Sequence, residues 1–282
     1  MKRYRVLTID FDSRATILNI VIDDSWEEHI KELHRRNKQK LEESLLFEFG
    51  CMDKERKKND FCDLGAAPLS IVAFHNKFLR QIRHSFIIGA YYPSLTATCS
   101  LGERILNHLI ISLREDFKQR KEYKRVYRKN SFDDWALPIS VLESWGILLS
   151  KVVTDYKSLY DIRNRKAIHF NPETDKNDRE IALESIKLLS NIIQEQFGAL
   201  GTQPWFIKNT KGAFYIKKEY EENPFIKKIY LPNCVLVGPF HKLENTPSGW
   251  KVVDNHVYEE REITDEEFRR LSEDFREGKI SS

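Results

Sequence analysis

The residues best suited to chemistry lie between Asp161 and Phe170, in the run Asp-Ile-Arg-Asn-Arg-Lys-Ala-Ile-His-Phe. Arg163 carries a guanidinium that stays charged, Asn164 an amide that donates and accepts, and His169 an imidazole, the side chain that ordinarily exchanges a proton near neutrality. Cleaving a phosphodiester without a metal requires deprotonation of the attacking hydroxyl, stabilisation of a crowded phosphorane-like dianion and protonation of the leaving oxygen. His169 suits the proton transfers, Arg163 can grip non-bridging oxygens through its fork, and Asn164 can orient the phosphate or the imidazole. Arg165 and Lys166 add charge for substrate binding. On one regular helix, positions six apart stand about 120° apart around the axis. That spacing favours a dimer, in which one subunit's histidine meets the other's arginine.

Apolar periodicity defines the elements that must position this cluster. From Pro68, Ile71, Phe74, Phe78, Ile82 and Phe86, then Leu95, Leu101, Ile105, Leu109 and Leu113, recur every three or four residues, which predicts two long helices joined at Pro93. Glu103, beside Ile105 and Leu106, can face either solvent or the inside of the bundle, and the solvated reading is preferred. A third helix runs from Ile139 through Trp145 and Tyr156 to Tyr160 and leads into the cluster. Asn171-Pro172 breaks the pattern, and a fourth helix runs from about Asp178 to Phe197 with Gly198 as its C-cap. Four long helices with few strands among them make a bundle.

The flanks have a different texture. Tyr4 to Phe11 and Ile17 to Ile22 read as two strands, Asp23-Asp24-Ser25 as the cap of a charged helix over Ile30 to Leu46, and Lys54 to Lys58 as a solvated loop. Beyond Gly201, the short runs Trp205–Ile207, Phe214–Ile216, Ile229–Leu231, Val235–Val237 and Val252–Val257 predict a small β-rich unit able to join the N-terminal strands in one sheet. Thr264-Asp265-Glu266-Glu267 opens a closing helix. The expected fold class is mainly α: a four-helix bundle with β-rich N- and C-terminal flanking elements, α+β overall. It divides into residues 1–66 (hairpin and charged helix), 67–200 (bundle) and 201–282 (β-rich unit).

Lys118 to Lys129 is strongly basic and interleaved with tyrosines. Lys121, Tyr123, Lys124, Arg125, Tyr127 and Arg128 supply phosphate-neutralising charge and rings that can stack on unpaired bases, a composition suited to single-stranded RNA. The alternative is a solvated helix end whose charge complements the helix dipole. Basic and acidic residues number 46 and 43, a net charge of +3, so no whole-chain field marks a nucleic-acid binder and any basic surface must be local. Cys51, Cys62, Cys99 and Cys234 lack CxxC or CxxH spacing, and His29, His34, His75, His84 and His108 form no HExxH set. No metal or cofactor is expected. Phosphate-loop, dinucleotide and nucleophile-elbow motifs are absent, the basic start lacks a signal-peptide core, and no run approaches 18 apolar residues, so a cytoplasmic protein without a membrane span is expected.

Arg163-Asn164 and His169, placed where a third helix gives way to the turn before a fourth, resemble the R-x(4–6)-H motif of the HEPN superfamily. Here the motif reads R-N-R-K-A-I-H, and the resemblance covers about Pro68 to Gly198. It implies a metal-independent endoribonuclease acting as a homodimer on RNA by 2′-hydroxyl attack, with a setting in toxin or antiphage defence and a partner that inhibits or activates it. HEPN toxins controlled by nucleotidyltransferase antitoxins often carry a tyrosine two residues after the histidine. Asn171 stands there, so that mode of silencing is not expected. A non-catalytic HEPN-like dimerisation or partner-binding module is the alternative, with Arg163 and Asn164 capping the helix and His169 satisfied by backbone.

Overall fold

The computed structural model describes residues 1–7, 12–169, 171–247 and 249–280. Strand β1 (Arg3–Val6) opens the chain. Ile9 and Phe11, assigned by pattern to the same strand, lie outside the described residues. The second strand expected at Ile17 to Ile22 is not formed: helix α1 (Arg14–Leu18) takes part of that stretch. Asp12 accepts both the Arg14 backbone N–H (3.1 Å) and its Nε (3.0 Å), which starts a helical turn, and Ala15 and Leu18, three apart, face the core. Helix α2 (Glu28–Phe49) buries only Leu45. Lys54 to Lys58, expected as a loop, instead open helix α3 (Lys54–Asp63). Lys57 Nζ donates to Phe49 O (2.7 Å), and Lys58 pairs with Glu42 (2.6 Å), so their charges fasten α3 to α2.

Helices α4 (Ala73–Ile87) and α5 (Tyr91–Leu113) pack side by side as predicted, but the join precedes Pro93. Gly89 makes the turn at φ +89°, and Pro93 sits in the first turn of α5, where its missing N–H breaks no helical bond. After the short α6 (Tyr123–Val126), the single third helix is corrected to two, α7 (Ala136–Ser144) and α8 (Ser150–Ile162). Gly146 breaks them at φ +69°, and the freed backbone is satisfied by Gln196, which accepts from Leu149 N (3.0 Å) and donates to Ile147 O (3.0 Å). Helix α9 (Pro172–Phe197) packs along α5 and α8 and carries a kink at Asn177. The expected four-helix bundle is thus corrected to five helices, α4, α5, α7, α8 and α9, within a mainly helical chain. Gly198 is not a left-handed cap. It bridges Ser70, and Ile71 N donates to Phe197 O (2.8 Å), fastening the start of α4 to the end of α9.

Strands β2 (Phe214–Tyr215) and β3 (Cys234–Val237) flank β1 in one antiparallel sheet, with Arg5 opposite Tyr215 and Tyr4 opposite Leu236. The N-terminal strand is therefore the centre of the C-terminal sheet. A hairpin follows, β4 (Lys242–Thr246) and β5 (Gly249–Val253). Ile229–Leu231, expected as a strand, belongs to helical turns over Ile226–Asn233, because Asn223 accepts the Phe225 N–H (2.9 Å) and Ile226, Ile229 and Tyr230 recur at helical spacing in the core. Val257 is fully exposed and outside any strand. The closing helix α10 (Asp265–Arg276) begins as predicted, with Thr264 accepting from Glu267 N (3.1 Å). Its Phe268 packs on Tyr215, and Asp265 pairs with Arg3 (2.6 Å). Among the described residues no helix is long and apolar enough to cross a membrane.

Two buried histidines make this fold acid-sensitive. Burial, together with nearby His108, holds His75 down to about 3. Burial holds His241 down to about 4; its Nδ1 donates to Gly238 O (2.7 Å), and its Nε2 meets the Arg5 guanidinium and has no acceptor for a second proton's N–H. Both folded values lie below the unfolded imidazole value, so the unfolded chain takes up protons first. Their stabilisation is complete above about pH 6.5 and is lost as pH falls through 4 and then 3. Urea unfolding at pH 7 and pH 5 is expected to show a loss of about 2 kcal/mol per histidine, with His241→Asn flattening part of the slope.

Candidate active site

The predicted cluster forms because the apolar spacing changes. On α8, Tyr156, Leu159 and Ile162 are buried at intervals of three, and the next buried position is Ala167, five further on. A regular helix would turn Arg165 or Lys166 into the core. The chain instead widens into a π-helical turn over Arg163–Ala167, in which Ile168 N donates to Arg163 O (3.0 Å). Ala167 reaches the core, and Arg165 swings out, its side chain 75% exposed and paired with Asp161 (2.7 Å). Thr174 Oγ1 donates to Lys166 O (2.9 Å) and Asn171 Nδ2 to Arg165 O (3.0 Å), so the start of α9 satisfies carbonyls released by the widened turn.

Arg163 turns inward onto α5. Its Nη2 donates to Glu103 Oε2 (3.1 Å), its Nη1 to Asn164 Oδ1 (2.9 Å), and its guanidinium lies 5.4 Å from the centre of the Trp135 ring. The side chain is 16% exposed. Trp135 Nε1 donates to the same Glu103 oxygen (2.9 Å), and the indole stacks on Tyr160, whose hydroxyl donates to Asp134 (2.8 Å). The solvated reading of Glu103 is corrected here: it is half-buried and holds two donors from distant parts of the chain. Cys99 is buried one turn before it. Burial pushes its thiol up to about 12 despite the pull of Arg163, which removes it as a nucleophile.

His169 follows the widened turn directly and is exposed. Among the described residues no hydrogen bond or ion pair engages its ring, and none joins it to Arg163. Beside it Ile168 is 52% exposed, and Tyr92, 50% exposed, donates its hydroxyl to Ala167 O (3.2 Å). Arg163, Asn164 and the emerging His169 are therefore gathered at one turn, with Arg163 held and His169 available.

The basic segment lies elsewhere. It packs at the far end of α5, where Arg114 Nη1 donates to Lys129 O (2.6 Å), eleven positions beyond Glu103, about 16 Å along the helix. Tyr123 and Tyr127 stack on each other (5.5 Å), and Arg128 covers the Tyr127 ring (5.0 Å). Lys118 and Tyr123 are engaged by Glu115. Lys121, Lys124 and Arg125 are exposed and form no ion pair among the described residues. Among those residues no three His, Cys, Asp or Glu side chains converge as metal ligands. No family model, curated protein sequence or solved structure matches the chain.

Sequence reasoning missed Trp135 and misread Glu103. One signal for the pair is Gly102, where a Cβ would stand 2.8 Å from Trp135 Cη2 and 3.2 Å from Leu159 Cδ2. The missing side chain lets the indole settle against α5 and reach Glu103. Gly102→Ala should gain about 1 kcal/mol of helix propensity and lose about 1–3 kcal/mol to overpacking. The expected outcome is a net loss in urea unfolding, with a shift in tryptophan emission as Trp135 is displaced.

Proposed function

We propose that the chain is a metal-independent endoribonuclease of the HEPN type, cytoplasmic and homodimeric, that cuts RNA by 2′-hydroxyl attack. The observation that carries this reading is the π-helical turn that seats Arg163 on Glu103, Asn164 and Trp135 and delivers His169 to solvent immediately after it. A guanidinium held on two acceptors retains three of its five N–H donors, oriented in advance for the equatorial oxygens of a pentavalent phosphorus. An imidazole free of protein partners can reach the 2′-hydroxyl as base or the 5′ oxygen as acid. One histidine cannot serve both ends of an in-line displacement at once. A second copy supplies the other, and the half-exposed Ile168 and Tyr92 beside the turn offer apolar surface for that copy. The unpaired Lys121, Lys124 and Arg125 would bind RNA phosphates several nucleotides from the scissile bond.

A second reading, a non-catalytic dimerisation or partner-binding module, is favoured by one observation: Arg163 already has a carboxylate partner in Glu103. The two separate on incubation of purified protein with total RNA in EDTA, alongside Arg163→Ala and His169→Ala variants checked by circular dichroism. The ribonuclease reading expects products ending in 2′,3′-cyclic phosphate, with cleavage reduced about 10²–10⁴-fold in His169→Ala and comparably in Arg163→Ala. It also expects a dimer by light scattering. Equal cleavage by all three proteins would place any activity elsewhere and leave the turn a helix terminus.

Glu103→Gln keeps an acceptor for Trp135 and Arg163 but removes the charge. It is expected to retain the fold while lowering cleavage at least tenfold, about 1.4 kcal/mol in barrier, because Arg163 loses its charge-assisted seat.

A further inference from the structure

Between α1, the C-terminal end of α2, α3 and α4 lies a cleft of about 750 Å³, within the range of small-molecule sites, roughly 300–1,000 Å³. Its charges do not balance. Asp12 and Glu48 stand at its rim, and Arg14 engages both, at 2.8 and 2.6 Å. Glu48 also faces His84 at 3.1 Å. Lys77, Arg80 and Arg83 are left at intervals of three along α4, and among the described residues none has a carboxylate within ion-pair distance.

Arg83 is the most constrained of the three. It is 6% exposed and donates to two backbone carbonyls, Leu64 O (3.2 Å) and Gly65 O (2.5 Å). Neither acceptor carries charge, and three of its five N–H groups remain. Burial draws it down to about 10, with Asp12 opposing, so it stays charged at neutral pH. A buried cation in a cleft wall with Asp12 only at longer range, and no carboxylate in direct contact among the described residues, carries a desolvation cost that an incoming anion relieves. Most of the remaining wall is apolar or aromatic, with Ser13 and Asn76 the polar exceptions. Phe49 lies edge-on to His84 (5.0 Å), with Leu79 and Ile87 behind. A ligand that satisfies both halves is a multiply charged anion on a flat apolar body.

We propose that this cleft binds a nucleoside polyphosphate, its phosphates running along Lys77, Arg80 and Arg83 and its base against Phe49 and His84. The three cations line the cleft over about 9 Å of helix axis and turn about 120° around it from exposed Lys77 to buried Arg83, an extended set of donors able to meet more than one phosphate. The cleft shares no residue with the Arg163 turn, so this proposal stands apart from the ribonuclease reading.

The test is calorimetric titration of the full chain with ATP, GTP, CTP and UTP, and with inorganic phosphate as the simple anion. At least one nucleotide is expected to saturate. The double variant Lys77→Glu with Arg80→Glu, both exposed and, among the described residues, without side-chain hydrogen bonds, is expected to weaken it at least about tenfold, with circular dichroism unchanged. Arg83→Met should act in the same direction, while Arg163→Ala and His169→Ala bind as wild type. No heat from any of the four nucleotides at about 1 mM, a concentration that registers even weak sites, would overturn the proposal. So would binding unaffected by the double variant, phosphate binding as tightly as the nucleotides, or loss in the Arg163 and His169 variants.

Discussion

A single half-buried carboxylate, Glu103, organises the candidate site. It accepts from the Trp135 indole and from Arg163, residues 32 and 60 positions away, so one oxygen ties α5 to the start of α7 and to the turn after α8. The arrangement satisfies three demands together: a buried indole N–H finds its acceptor, a largely buried guanidinium finds its counter-charge, and Gly102 leaves room for the ring between them. Charge-assisted bonds of this kind fix orientation as well as adding stability. Arg163 is therefore a positioned group, not a flexible one, whichever role the turn performs.

The same logic recurs at a second carboxylate. Asp60 is fully buried, accepting from Arg56 (2.8 Å), the Tyr91 hydroxyl (2.9 Å) and Arg179 Nε (2.9 Å), which joins α3, the first turn of α5 and α9 just past its kink. A carboxylate out of water persists because its lone pairs are filled by cations and a hydroxyl. Arg83, close by, is handled differently. Its acceptors are carbonyls, and among the described residues no carboxylate pairs with it directly, Asp12 acting from further away. That contrast between two buried charges in one region distinguishes the cleft beside α4 from ordinary packing.

The chain ends cooperate in the smaller β unit. The first strand sits between two strands from beyond residue 213, Arg3 reaches Asp265 and the Ile263 carbonyl, and the amino terminus donates to Arg261 O (3.0 Å). Arg5 and His241 lie beneath this sheet as a neutral imidazole against a guanidinium, stable only while the ring keeps a single proton. The unit's integrity is thus tied to pH through His241, as the bundle's is through His75 packed on Phe197.

Much of this was legible from residue order. Helical periodicity located α4, α5 and α9, the Thr264 cap located α10, and Arg163, Asn164 and His169 stood out as one cluster by side-chain type alone. That Ala167 rather than Ile168 returns to the core, five residues after Ile162, appears only in the structure and goes with the widened turn. Local pattern failed where partners were remote. Ile17 to Ile22 is an apolar, β-branched run that reads like a strand, but Asp12 and Glu48 capture Arg14 at the start of a helix. Glu103 on an amphipathic helix looks like any solvated glutamate until Trp135 and Arg163 arrive from sequence positions that no local pattern connects. Side-chain chemistry and apolar spacing are properties of the chain by itself. Which carboxylate is paired, and which buried cation is met by carbonyls instead, depends on long-range packing and was decided only by the tertiary structure.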